Sequence, residues 1–291
     1  MAPAAPPNNL AQRIVVAAIA IPLVIGVIWL GGWPLAATLA VLGVLGTREI
    51  YDLARRQGIE ALDETGWLAA AAIPLLAYWA KGSQTHWAEP ALYVGALWVI
   101  AALVVAMIRR GPAGRPLTSV SVTLFGCLYA SGMLAFLIAI RHGINADNRP
   151  AAYASLAVFP LVITWICDTA AMAAGSAFGG PQLAPVLSPK KTRAGAIGGL
   201  AAAIVTAIVL GKLVLNRFEW NFAVWQLATV GGVVGVVAQV GDVAESLFKR
   251  EVGVKDSSSL IPGHGGVLDR LDALYFVIPA AAGLYRMFGV I

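Results

Sequence analysis

Apolar stretches approach or reach the length of a membrane span again and again along this chain, near residues 14–33, 34–47, 66–80, 88–108, 117–140, 151–174, 194–215, 222–240 and 273–291. A helix needs about 20 apolar residues to cross a bilayer. The second and third stretches are short for that, and read as tilted, re-entrant or lengthened by flanking amphipathic turns. Too little polar sequence is left over to cover so much apolar surface in water. Hydrophobic residues make up 59% of the 291 and charged residues only 12%, where a soluble domain carries about 25%. Inside lipid every backbone N–H and C=O needs a partner within the protein, which segments of this length achieve as helices. The expected fold is all-α: a polytopic integral membrane protein with about nine transmembrane helices. The first apolar run is too long for a cleaved secretory signal and is expected to stay on the chain. Cys127 and Cys167 both lie in apolar stretches and read as small core residues rather than as a disulfide or metal framework.

Basic residues orient such a chain, because Lys and Arg gather in cytoplasmic loops. One set of alternate loops holds Arg13; Arg48, Arg55 and Arg56; Arg109, Arg110 and Arg115; Lys190, Lys191 and Arg193; and Lys249, Arg250, Lys255 and Arg270. The other set holds only Lys81, Arg141, Arg149, Lys212 and Arg217. The first side is therefore expected to be cytoplasmic, with the N-terminus on it. The net charge of +5 is explained by this asymmetry and calls for no nucleic-acid partner. Residues 1–150 are expected to be a lipid-facing scaffold. Residues 151–291 are expected to be the catalytic part, with cytoplasmic loops 175–193 and 249–270.

Those two loops hold most of the polar chemistry. In VAQVGDVAESLFKR, Asp242, Glu245, Ser246 and Lys249 recur at helical spacing and share one face. A carboxylate at the end of an apolar helix is costly without a cationic partner, either a metal or Lys/Arg. An internal pair of Asp242 or Glu245 with Lys249 is the plainer alternative. Asp168 is a second acid inside an apolar stretch. The glycines of PGHGGVLDRLD free the backbone around His264, and Gly265 and Gly266 are candidates to present N–H groups to phosphate. Asp269 and Arg270 stand at the start of the last helix, an end that favours anions. Ser188, Lys190, Lys191 and Thr192 form a basic, hydroxyl-bearing element braced by Pro189, suited to anion binding. Hard carboxylate oxygens beside phosphate are the usual setting for Mg²⁺.

The stretch from Ser246 to Asp272 resembles the signature of the phosphatidate cytidylyltransferase family. Ser246, Lys249, Arg250, Lys255, Asp256, Pro262, Gly263, His264, Gly265, Gly266, Asp269, Arg270 and Asp272 stand in register with it. Asp168, Thr169, Ala171 and Ser188–Thr192 resemble a second family element, from which Met172, Gly180 and Ala194 depart. The resemblance implies that CTP and phosphatidate from the bilayer react to give CDP-diacylglycerol and pyrophosphate. It implies Mg²⁺, with a second cation as an open option, held by Asp242 and Asp269. Lys190, Lys191, Lys249, Arg250, Lys255 and Arg270 would bind phosphates; Ser188, Ser246 and His264 would orient them; Asp168 and Asp256 would be supporting acids. A bacterial inner-membrane location and a homodimer are the accompanying expectations. The rivals are a CTP-dependent lipid-alcohol kinase and a transporter. The transporter reading sits poorly with acids gathered at helix ends.

Overall fold

The computed structural model describes residues 9–82, 88–261 and 265–291, and their backbone is almost wholly helical. The helices are α1 (Asn9–Leu30), α2 (Gly32–Arg55), α3 (Asp63–Trp79), α4 (Ala88–Arg109), α5 (Pro116–Cys127), α6 (Met133–Arg141), α7 (Pro150–Phe178), α8 (Arg193–Leu213), α9 (Val224–Glu251) and α10 (Leu268–Met287). One small antiparallel hairpin, β1 (Gln182–Ala184) and β2 (Ser188–Thr192), interrupts them, with Gln182 opposite Thr192 and Ala184 opposite Ser188. The all-α membrane architecture expected from the apolar stretches is what the chain adopts.

Among the described residues, five spans are long and apolar enough to cross a membrane: Ala91–Arg109, Pro112–Arg141, Pro150–Phe178, Arg193–Leu213 and Val224–Glu251. The second of these joins α5 and α6 through a π-helical turn, Leu128–Gly132. The doubtful short stretch at 34–47 lies within a 24-residue helix, α2, that continues through a charged last turn to Arg55. Its apolar run was short because the helix outlasts it.

Side-chain contacts gather the loops at two opposite ends. At one end Arg55 pairs with Asp63, Arg109 with Glu64 at 2.8 Å, and Arg110 with Glu60. At the other, buried Arg141 donates to Ile28 O (2.7 Å) and Trp29 O (2.9 Å). It thus satisfies the last carbonyls of α1, where a cation also meets the negative end of the helix dipole. His142 Nε2 accepts from Gly32 N at 2.9 Å, and Lys81 pairs with Asp147 at 3.1 Å.

Helices α7, α8, α9 and α10 pack in succession, α10 also meets α6, and α2 packs on α3 and α5. Lipid gives little hydrophobic drive between helices, so close packing through small residues carries the association. Gly231 on α9 is the clearest case: a Cβ there would lie 2.7 Å from both Ala203 O and Ile204 Cα of α8. Gly231→Ala should lower the thermal midpoint in detergent, at an overpacking cost of about 1–3 kcal/mol. Gly232→Ala, with nothing within 4 Å of the added carbon, should leave the midpoint level or raise it.

Candidate active site

The polar end is built from α2, the C-terminal parts of α7 and α9, the hairpin, and the segment that leads into α10. The Ser188–Thr192 element is strand β2, and Thr192 ends it by accepting from Gly195 N at 3.0 Å, capping α8. The strand packs on α7 and α8, and from it Lys191 reaches α9, where its Nζ lies 2.5 Å from Asp242 Oδ2. Both side chains remain partly exposed. Asp168 on α7 lies within electrostatic range of Asp242 and Lys191, and Asp272 within range of Asp242, Asp168 and Lys249. Three carboxylates from three helices therefore bear on one another.

A second cluster lies deeper. Lys249 is buried and bridges Glu245 Oε1 at 2.9 Å and Asp269 Oδ1 at 2.6 Å. The Glu245–Lys249 pair is the internal salt bridge that the helical spacing allowed. The other oxygen of Asp269, Oδ2, accepts from Gly266 N (2.8 Å) and Ser257 N (2.8 Å), and lies 2.7 Å from Ser257 Oγ. Asp269 sits ahead of the apolar stretch that starts at Ala273. Burial alone would raise its carboxyl, but the hydrogen bonds from Lys249, Gly266 and Ser257 outweigh that and hold it below the usual carboxylate range.

Sequence reasoning missed the residue at the centre of this loop, Glu49 of α2. It is 4% exposed. Oε1 accepts from Ser258 Oγ (2.8 Å) and Val267 N (2.9 Å); Oε2 accepts from Leu268 N (2.8 Å) and lies 2.8 Å from Ser257 Oγ. The single Ser257 hydroxyl proton is thus shared between Glu49 and Asp269. A carboxylate in an apolar stretch needs a partner, but Glu49 stands just past the stretch at 34–47, beside Arg48, where it reads as loop. Asp168 and Asp242 were singled out on that ground and Glu49 was not. Gly266 fits because a Cβ there would lie 2.2 Å from Ser257 Oγ and 2.3 Å from Glu49 Oε2, and Gly265 takes a positive φ of 81°.

This geometry redirects one expectation. The start of α10 was expected to offer its N–H groups to phosphate, yet Glu49 already takes those of Val267 and Leu268, and Asp269 takes that of Gly266. The helix start is capped from within by carboxylates.

The remaining site residues divide by position. Arg250 is exposed and tied by Nε to Leu187 O (3.3 Å) and by Nη1 to Val254 O (2.9 Å). Lys190, Lys255, Asp256 and Arg270 are exposed, Ser188 is half-buried and Ser246 buried. Among the described residues none of these six makes a side-chain hydrogen bond or ion pair. The expected role of His264, like those of Pro262 and Gly263, falls outside the described residues.

Among the described residues no three of His, Cys, Asp and Glu form a ready-made metal cage. Mg²⁺ in nucleotide sites needs less, one or two carboxylates with substrate phosphates and water completing the shell. Asp242 fits that requirement together with its acidic neighbours Asp168 and Asp272, which outnumber the one lysine paired with them. Asp269 fits it less well, because protein donors engage both of its oxygens.

A helical membrane protein that gathers lysines, arginines and carboxylates at one end of its bundle is suited to phosphate chemistry at a lipid surface. The chain belongs to the cytidylyltransferase family, whose sequence model matches residues 11–288, and it is a nucleotidyltransferase of phospholipid biosynthesis. It is 32% identical over 286 residues to a phosphatidate cytidylyltransferase of Brucella suis, covering 98% of this chain and 94% of that protein. It is 31% identical over 290 residues to one of Synechocystis, covering 92% and 94%. A phosphatidate cytidylyltransferase of Haemophilus influenzae is 43% identical over 135 residues, 45% of each chain. The resemblance first seen in the Ser246–Asp272 signature extends over nearly the whole sequence.

Proposed function

We propose that this chain is itself a phosphatidate cytidylyltransferase, converting CTP and phosphatidate to CDP-diacylglycerol and pyrophosphate at the cytoplasmic face of a bacterial inner membrane. The observation that carries the reading is the Lys191–Asp242 pair, set among Asp168 and Asp272 at the end of the bundle that holds most of the basic residues. That end is the cytoplasmic one by the basic-residue rule. Counting α1, α2, α3 and α10 as crossings beside the five long apolar spans gives nine, with the N-terminus inside.

A phosphate oxygen of the lipid attacks the α-phosphorus of CTP, and pyrophosphate leaves in line. The nucleophile is already an anion, so no strong base is needed. The obstacle is the approach of several negative charges, which positioning and electrostatic stabilisation must overcome. Lys191, Lys190, Arg250, Lys255 and Arg270 supply positive charge to the phosphates. Asp242, with Asp168 and Asp272 beside it, would hold Mg²⁺, which would neutralise charge on the nucleotide phosphates when bound. Lys249 and Asp269 are positioning residues in this scheme: with Glu49 they tie residues 257–258 and 266–269 to α2 and α9.

Purified protein in detergent with CTP, phosphatidate and Mg²⁺ should release pyrophosphate only when the lipid is present. Asp242→Asn should lower that rate by about a hundred-fold or more, the scale of losing an electrostatic contact to the reacting phosphates, and should raise the Mg²⁺ concentration needed for half-maximal rate. A variant with the wild-type rate and wild-type Mg²⁺ dependence would remove Asp242 from the site.

A further inference from the structure

We propose that the groove between α8, α9 and the β1–β2 hairpin seats an acyl chain of the lipid substrate. The proposal rests on the phosphatidate reading above. The groove has a volume of about 530 Å³, within the range of roughly 300–1,000 Å³ typical of ligand pockets. Its walls are Leu183 and Leu187 of the hairpin, Leu200 of α8, and Val240 and Ala244 of α9. Gln239 is the one polar side chain in the lining, and its amide is turned onto Ala196 O (3.2 Å) and Gly235 O (3.0 Å). The lining therefore offers a ligand mainly apolar contact.

Two features select an anionic lipid as the occupant. The α9 wall is a stripe at helical spacing, 236, 239, 240, 243, 244 and 247, and it continues to Arg250, with Glu251 beside it. The hairpin wall changes in the same direction, from Leu187 to the strand that carries Lys191 beside Asp242. An apolar trough that ends in cations beside the candidate reaction centre matches a molecule with an apolar tail and a phosphate head. The hairpin also closes one side of the trough with Leu183 and Leu187, next to charged Lys190 and Lys191. A lipid chain lying there covers apolar surface that the hairpin otherwise leaves open.

The test compares kcat/KM for short-chain and long-chain phosphatidate in mixed micelles, for wild type and for Ala244→Trp and Val240→Trp. The long-chain to short-chain ratio should fall about tenfold in the variants, the factor lost when roughly two methylenes are denied burial. The change should sit in KM for the lipid. A long-chain phosphatidate with a photoreactive group at the chain end, illuminated on wild-type protein, should label peptides from 183–200 or 236–247. The labelling needs no variant to fold. An unchanged ratio in both variants, or label confined to other helices, would overturn the proposal. So would variants that change the particle mass in detergent while keeping the ratio, since a second copy would then cover the groove. Wild type that turns over no phosphatidate of either length would instead defeat the underlying reading.

Discussion

Asp269→Asn is expected to leave a folded protein with turnover reduced by roughly a hundred-fold or more. The substitution keeps the shape and removes the charge. Lys249 then keeps Glu245 alone, and the new amide turns an NH₂ group toward Gly266 N, Ser257 N or Lys249 Nζ, all of them donors. Breaking a buried ion pair costs about 3–5 kcal/mol, and each 1.4 kcal/mol is about a tenfold change in a population. The loss should appear in kcat, because Asp269 has both oxygens engaged by Lys249, Ser257 and Gly266 and so acts in the proposed scheme by positioning. Pyrophosphate release measured beside the thermal midpoint checks it. A near-normal kcat would refute both the metal role that the family signature implies and the positioning role that the geometry implies.

Glu49→Gln should have the next largest effect, from a helix expected to serve as scaffold. Glu49 offers both oxygens to donors, and four donor groups converge on it. Glutamine has one acceptor oxygen, so its NH₂ must face a backbone N–H of Val267 or Leu268, or a serine hydroxyl that can rotate away. One buried unsatisfied group costs about 1–3 kcal/mol. Turnover should fall by about ten- to a hundred-fold, and amide hydrogen exchange in 257–268 should quicken. Glu60→Gln, in the exposed pair with Arg110, is the contrast: the Glu60 side chain is 66% exposed, and such pairs contribute little. Equal, small effects from both variants would mean that the Glu49 contacts do not organise the loop.

These two residues mark what was legible in the sequence and what was not. The apolar stretches each fell on a helix, because in lipid an apolar segment of sufficient length has few other ways to satisfy its backbone. The sequence understated α2, whose last turns carry Arg48, Glu49, Asp52 and Arg55 and so look like loop on a hydropathy scan. The chemistry of the C-terminal half was legible because its acids and bases are dense and regularly spaced. Lys249 with Glu245 follows from helical spacing alone, whereas Lys191 with Asp242 needs a strand to fold back onto α9.

Glu49 and Ser257 lie 208 positions apart in the chain, and no local pattern joins them. In the sequence Glu49 reads as part of a charged loop beside Arg48, and only the fold reveals its burial and the donors that meet it. The internal capping of α10 was illegible for a related reason. Spacing identifies a helix N-terminus, but it does not tell that a carboxylate from a distant helix already occupies it.

The most direct test of the central claim follows the phosphorus. Purified protein is given phosphatidate, Mg²⁺ and CTP labelled at either the α- or the γ-phosphate, and the lipid is extracted. Attack at the α-phosphorus puts the α-label into lipid and releases the γ-label as pyrophosphate, which is the expected result. Lipid carrying the γ-label, with CDP left in solution, would mean phosphoryl transfer and contradict the proposed reaction.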